Sequence, residues 1–516
     1  MRRYLLFTVF ASGMTTLAAE LAAGRLIGNV YGTSNLVWAS IIGLILIYLT
    51  FGYSLGGRWA DRYPTPFAMY RILAWGAFTL GIVPYISTPV LRAAATAFEG
   101  FDFAVMGGAF VGVLVLFSVP ITLLGTISPF AIRLSMDDTA HAGRTSGQIY
   151  AVSTLGSFIG TFLPVLVLIP TIGTTRTFLV FSLFLLFIAI AGMALNGERR
   201  QAIVHLWMVL ALAVVAALGA GQKLKNSEGQ VYETESAYNY IQVIQQDGYT
   251  MLRLNDGNGI HSIYHADKLY YGGPWELFLV GPYFYPDMNP ADVGRIGIVG
   301  LAAGTAARQA TAVYGPIPID GWEIDPVIVE AGREYFGMTM PNLNVFVEDG
   351  RYGLEHSPHQ YDILAVDAYR PPYIPPHMTT LEFFQMAASH LTPRGVLAIN
   401  VGRAPNDRSL INGLATTLAA VFPSVHVVDI PGTLNSLVYA TVQPTSPQAF
   451  ADNFMRLAND PSVHPLLTQT LAVAYSNLQP GYEIAMVFTD DRAPIEWLTN
   501  NLVINFILHG DVDSLQ

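Results

Sequence analysis

RIGIVGLAAGT, residues 295–305, decides the fold. A short apolar run ends at Gly300, passes through small or apolar residues and reaches Gly304. Such a run closed by glycine predicts a buried strand turning into a helix, with a loop whose backbone a ligand can approach. The loop holds no acid and no Lys follows it. It is therefore no P-loop, and without a full GxGxxG a dinucleotide is disfavoured. An adenosyl group without phosphates fits it better.

Working outward, strands alternate with helices. IGIVG is followed by a helix over 304–314, then IPIDGWEID, a helix over 326–337, NVFVED, a short helix, YDILAVDAY, a helix over 380–391, and GVLAINV. A further helix over 409–422 and two strands, HVVDI and SLVYATV, finish the series. This pattern predicts a buried parallel sheet, whose ligands lie beyond the C-terminal strand ends at a switch point. Four strand ends carry Gly300, Glu323, Asp349 and Asp367. Glu323 stands about 20 residues after the first glycine, where an acid takes ribose hydroxyls in nucleotide folds. Asp349 with Gly350 falls on the adenine side. Singly each has a plain structural reading, a turn or a cap; together they predict a nucleotide site.

Residues 229–290 read differently. VYETESAYNYIQVIQQ and YTMLRLNDGNGIHSIYH predict β-hairpins turning at Asp247-Gly248 and Asp256-Gly257. The apolar GPYFYP (281–286) is expected to pack the sheet edge.

Residues 1–221 differ again. They hold 12 Lys+Arg and 7 Asp+Glu, against 14 and 30 in the remainder. Crossing a bilayer takes about 20 apolar residues. Seven stretches qualify: 4–24, 36–57, 68–90, 104–132, 148–170, 175–195 and 202–221. Gly156 and Gly160 have the spacing of close helix contacts, and Glu20 is a carboxylate within a span. Arg2, Arg3, Arg58, Arg62, Arg133, Arg144, Arg199 and Arg200 fall on one side, against Arg25, Arg92 and Arg176 on the other. The N-terminus is therefore expected in the cytoplasm. Seven crossings would then put the second part outside, where nucleotide cosubstrates are scarce, so its side stays open. GGRWADRY (56–63) resembles the loop between spans two and three of major facilitator transporters. The acidic second part has no basic face for nucleic acid. The chain has no Cys, which excludes disulfides, thiolate metal sites and thiol catalysis.

The expected architecture is thus a multi-span α-helical membrane domain (1–221), a small antiparallel β subdomain (229–290), and an α/β Rossmann-like, class I methyltransferase-like domain (291–516). From SAYNYIQV (236–243) through GLAAGT (300–305), WEIDP (322–326), VEDGR (347–351), YDILAVDAY (361–369), IPPHMTTLEFF (374–384), LTPRGVLAINV (391–401) and TDDRAPIE (489–496), the second part resembles the spermidine synthases. The whole chain resembles the membrane-fused members of that aminopropyltransferase family.

The resemblance implies a donor, decarboxylated S-adenosylmethionine or S-adenosylmethionine itself, as cosubstrate, with no metal. It implies that Glu323 binds ribose, Asp349 the adenine amino group, and Asn239 the methionine-like tail. His261 stands near a family glutamine. Asp367 matches the general base; by position beside it Tyr369 is expected to help line the pocket, and Arg370 is a candidate to pair a substrate carboxylate. Two positions depart from the family: Ala303 replaces the loop acid that grips the donor's ammonium, and Arg370 replaces a second acceptor-side Asp. The implied activity is aminopropyl transfer to a polyamine. Methyl or aminocarboxypropyl transfer from intact S-adenosylmethionine, and a non-catalytic membrane sensor or transporter, stand as alternatives. The lipid membrane and a small amine are the expected partners, with self-association an expectation by analogy.

Overall fold

The computed structural model describes residues 2–31, 35–98, 104–136, 141–219, 227–255, 259–369, 373–499 and 501. Arg370 and the expected turn at Asp256-Gly257 lie outside these. By compactness the chain divides into two units, 1–226 with 234–240, and 227–233 with 241–516.

The first unit is helical. Helices span Arg2–Tyr31, Asn35–Arg62, Pro66–Phe98, Ala104–Gly125 continued by Ile127–Ser135, Ala142–Leu163, Ile169–Leu195 and Arg199–Gly219. Among the described residues six helices are long and apolar enough to cross a membrane, against the seven stretches expected. The difference has one source: 148–170 and 175–195 share a single 54-residue helical run, Ala142–Leu195. That run is not straight. A π-helical turn over Pro164–Leu168 precedes Gly173, whose φ of 80° and ψ of 167° break the helix. Thr174, restarting it, donates its N–H and hydroxyl to Glu235 Oε2, both at 2.8 Å.

Contacts with the first helix show that the run reverses. Arg2 Nη2 reaches Gln148 at 3.0 Å. A Cβ on Gly156 would lie 2.0 Å from the carbonyl of Phe10, and one on Gly160 2.0 Å from that of Met14. Numbers rise together, so the two helices run parallel at a spacing only glycine permits. Beyond Gly173 they fall: Tyr4 Oη donates to Ile188 O, while Met14 packs with Phe181. Thr8 and Thr16 donate back to carbonyls of their own helix, which satisfies them in apolar surroundings. Glu20 is partly buried on the same helix.

The second unit holds two sheets. β1 (Gln230–Glu235), β2 (Tyr240–Gln246), β3 (Tyr249–Leu254) and β4 (Ile260–Tyr264) form a four-stranded sheet in that order; β1 and β2 straddle the division between units. Asp247 and Gly248 both take positive φ in the tight β2–β3 turn, as expected.

The larger sheet contains β5 (Ile296–Val299), β6 (Ile319–Trp322), β7 (Leu343–Phe346), β8 (Tyr361–Val366), β9 (Leu391–Gly402), β10 (Ser424–Asp429) and β11 (Asn435–Thr441). Its order is β10-β11-β9-β8-β5-β6-β7. β5 is buried throughout and pairs in parallel with both β6 and β8; β10 and β11 complete one edge antiparallel. The chain steps from β5 outward through β6 and β7, then returns to β8 on the other side. The switch point therefore lies between β5 and β8.

Helices over Thr305–Tyr314, Pro326–Tyr335, Leu381–Ser389 and Ser409–Ala419 match expectation to within a few residues. The two final strands do not finish the series; helices over Pro447–Leu457 and Pro465–Ser476 follow. GPYFYP packs a sheet face, not an edge, since a Cβ on Gly281 would meet Val396 of β9 and Tyr439 of β11. At the N-terminal end of the sheet, buried Asp320 accepts from Arg295 Nη1 at 2.8 Å, Asn344 Nδ2 at 2.8 Å and Tyr361 Oη at 3.0 Å, which ties β6 to β7 and β8.

Candidate active site

Four groups gather at the C-terminal rim. Gly300, Glu323 and Asp367 each follow directly on a strand, while Asp349 stands three residues beyond β7. Gly300 adopts φ +85°, and a Cβ there would fall 2.6 Å from the carbonyl of Asp367. The glycine thus admits the β8 exit loop and brings the candidate base against the candidate nucleotide loop. Gly304 (φ +86°) makes room for Met338, and Gly350 for Val299. Their first requirement is internal packing.

Glu323 is almost wholly buried. Oε2 accepts from the N–H of Ala302 at 2.9 Å and Oε1 from that of Asp325 at 3.0 Å. Ala302 holds φ +48°, costly for a residue with a Cβ, so the acid fixes the loop in a strained shape. Burial pushes Glu323 up to about 7, against the pull of these N–H groups. Each oxygen keeps a further lone pair for a hydroxyl donor.

Asp367 is partly buried, and desolvation pushes it up to about 7. One side chain opposes that shift: Asn400 Nδ2 of β9 donates to Oδ1 at 2.9 Å. Asn400 is buried, and its own Oδ1 has no partner among the described residues. Tyr369 Oη donates to Asn400 O at 3.3 Å, which puts Tyr369 beside the same strand end. Desolvation keeps Tyr369 protonated, as a donor.

Asp349 caps the helix Gly350–Glu355, with Oδ1 accepting from the N–H groups of Arg351 and Tyr352 at 3.0 Å each. His377 Nε2 lies 3.2 Å from Oδ2 and holds the carboxyl below its usual range. Arg351 forks onto both oxygens of Asp490 at 2.7 Å and also reaches His377 O, so TDDRAPIE anchors this corner. The arginine pushes Asp490 down to about 2.

Ala303, at the position of the family's loop acid, faces no polar rim. It is buried in an apolar cluster with Ile241, Val243, Leu252 and Phe336. Its N–H donates to Ser262 Oγ at 2.9 Å, while Thr305 exchanges hydrogen bonds with both backbone groups of Ile263. The small sheet is thereby bolted to the glycine loop. His261 is the extra residue where the β3–β4 register shifts, between Ile260 and Ser262. Burial pushes His261 down to about 4, so it is neutral at physiological pH. Asn239 lies buried in the turn Ser236–Asn239, which belongs to the first unit.

Sequence reading missed Asn400, Ser262, Thr305 and His377. Asn400 alone had a usable signal, as a polar residue closing the apolar run of β9.

The strand order and the glycine-closed first strand are those of a Rossmann-like, methyltransferase-like fold. Residues 295–453 match the model of the spermine/spermidine synthase domain. A probable polyamine aminopropyl transferase of Bifidobacterium longum is 31% identical over 283 residues, which cover 52% of this chain and 61% of the relative. The chain thus spans about three-fifths of that relative's length. A polyamine aminopropyltransferase of Vibrio vulnificus is 27% identical over 213 residues, 39% of this chain and 68% of its own. A probable spermidine synthase of Corynebacterium glutamicum aligns at 17% identity and a TM-score of 0.38, covering 51% of this chain and 98% of that one.

Proposed function

We propose that the protein is a membrane-anchored aminopropyltransferase that uses decarboxylated S-adenosylmethionine and a polyamine acceptor. The observation that carries this reading is Asp367, held by Asn400 against the Gly300 loop. Glu323 would take the ribose hydroxyls, and Asp349 would face the adenine amino group. Gly300, Gly304 and Gly350 shape the nucleoside loop, and Asn239 remains the candidate for the donor's tail. Tyr369 would line the acceptor side, whereas Arg370 suits a substrate carboxylate better than an amine.

In the reaction an acceptor amine attacks the methylene carbon next to the sulfonium. The C–N bond forms as the C–S bond breaks, the electron pair returns to sulfur, and neutral methylthioadenosine leaves. The leaving group needs little help; alignment and an unprotonated amine are what the protein must supply. Asp367 receives the amine's proton. A carboxyl near 7 is poised for this, and a bound sulfonium nearby would favour its ionised form. The test is formation of methylthioadenosine from the donor and putrescine or spermidine by the detergent-solubilised protein. No product with any diamine or triamine would sink the reading.

Ala303 supports a second reading, transfer from intact S-adenosylmethionine. With an apolar side chain in place of the loop acid, nothing at that position repels the donor's carboxylate. S-adenosylhomocysteine as product would select methyl transfer.

We further propose seven passes, since the reversal at Gly173 supports two crossings by the 54-residue run. The second unit would then lie on the side opposite Arg2. Single cysteines introduced at Thr65 and Ser357 into this cysteine-free chain should label from opposite sides with an impermeant maleimide. Labelling from one side would leave an even number of passes.

A further inference from the structure

A second cleft lies on the small sheet, on the face turned away from the glycine loop. Met251 pairs with Ile263, while their neighbours Leu252 and Ser262 face the other way. Asp247, Tyr249, Met251, Ile263, Tyr270 and Tyr271 line a cavity of about 450 Å³ there. None of these residues takes part in the proposed reaction.

Lys268 shows what the ring of Tyr249, part of the cleft wall, accepts. Its ammonium lies 4.8 Å from the ring centroid of Tyr249 and donates to Tyr249 Oη at 2.8 Å. That is an alkylammonium on an aromatic face, the arrangement by which aromatic cages recognise organic cations. The surrounding charge favours the same sign. Asp247 is exposed at its turn and has no ion pair among the described residues. Buried Glu276 accepts from the N–H groups of Tyr271 and Gly273, and its charge acts on both Tyr270 and Tyr271. Of the nearby cations, Arg308 is committed to Tyr271 Oη and Ala266 O, with its guanidinium 4.4 Å from the ring of Tyr264. Lys268 is tethered by its own backbone and can swing out. His265 packs its ring on Tyr249 at 4.8 Å, which closes one side.

We propose that this cleft is an accessory site for an alkylammonium of polyamine type, with Lys268 as a tethered occupant that the ligand displaces. The choice of polyamine rests on the reading of the active site; the cation class rests on the cleft alone.

The test is equilibrium dialysis of labelled spermidine against the full chain in detergent, without donor, with product-nucleoside formation measured separately. Lys268→Ala should vacate the face and tighten this site about ten-fold, roughly the worth of one desolvated cation–π contact. Tyr249→Leu should abolish it, and Asp247→Asn should weaken it several-fold. Tyr249→Phe in the Lys268→Ala background keeps the ring and should still bind, which separates cation recognition from loss of fold. Unchanged or weaker binding by Lys268→Ala would overturn the proposal, as would unchanged binding by Tyr249→Leu. Because donor is absent, these outcomes stand even if the wild-type protein shows no turnover.

Discussion

The two ends of the large sheet treat a carboxylate in opposite ways. At the N-terminal end Asp320 is buried and accepts from three side chains, one a guanidinium. At the C-terminal end Asp367 has one side-chain donor, an amide, and desolvation pushes it up to about 7. The first arrangement gives the carboxyl three donors, one of them cationic. The second leaves a carboxyl free to gain and lose a proton, as a base must. Both are acids on adjacent parts of one fold; what tells them apart is the number and charge of their partners.

Substitutions at the two ends should separate cleanly. Asp367→Asn removes the base and should lower kcat/KM for nucleoside release by about 10³-fold, without lowering the melting temperature. Turnover that survives it would erase the contrast. Asp320→Asn should do the reverse: it leaves Arg295 poorly paired and should cost about 3 kcal/mol of stability, read by denaturant melting of the second unit, with kcat nearly intact. Asn400→Ala should lower kcat about ten-fold, the loss of one hydrogen bond to a charged group.

The pH profile sharpens the comparison. With Asp367 as base, kcat/KM should rise with pH through about 7. The Asn400 bond favours the ionised form, so its loss should move that limb to higher pH. For stability the sign is opposite. A carboxyl raised when folded contributes most below its unfolded value and loses that contribution as pH rises through about 7. Asp367→Asn should flatten this part of the stability curve. Smallest of all, His377→Ala should weaken donor binding a few-fold by releasing Asp349, with little change in kcat. An equal loss in kcat would place His377 in the chemistry itself.

The rim was legible because strand ends can be read from apolar runs: Gly300, Glu323 and Asp367 each sit one residue past a strand. The partners that set their chemistry were less legible. Asn400 closes an apolar run and could have been read by the same rule. Ser262 and Thr305 bond the loop across some 40 residues of chain, and no local pattern reports that. Ala303 was identified as a missing acid, but its burial against β2 and β3 depends on how two sheets meet. In the helical unit the apolar stretches 148–170 and 175–195 already leave a gap that holds Gly173, though polarity alone could not show the dihedral break there.

The strained turn at Ala302 has a thermodynamic consequence. Its N–H is already bound to Glu323, and its left-handed backbone is already set. A nucleoside entering this loop would have little chain left to order. Its binding should therefore carry a small entropic penalty, with a heat-capacity change matching the apolar surface of the base and no excess from loop folding.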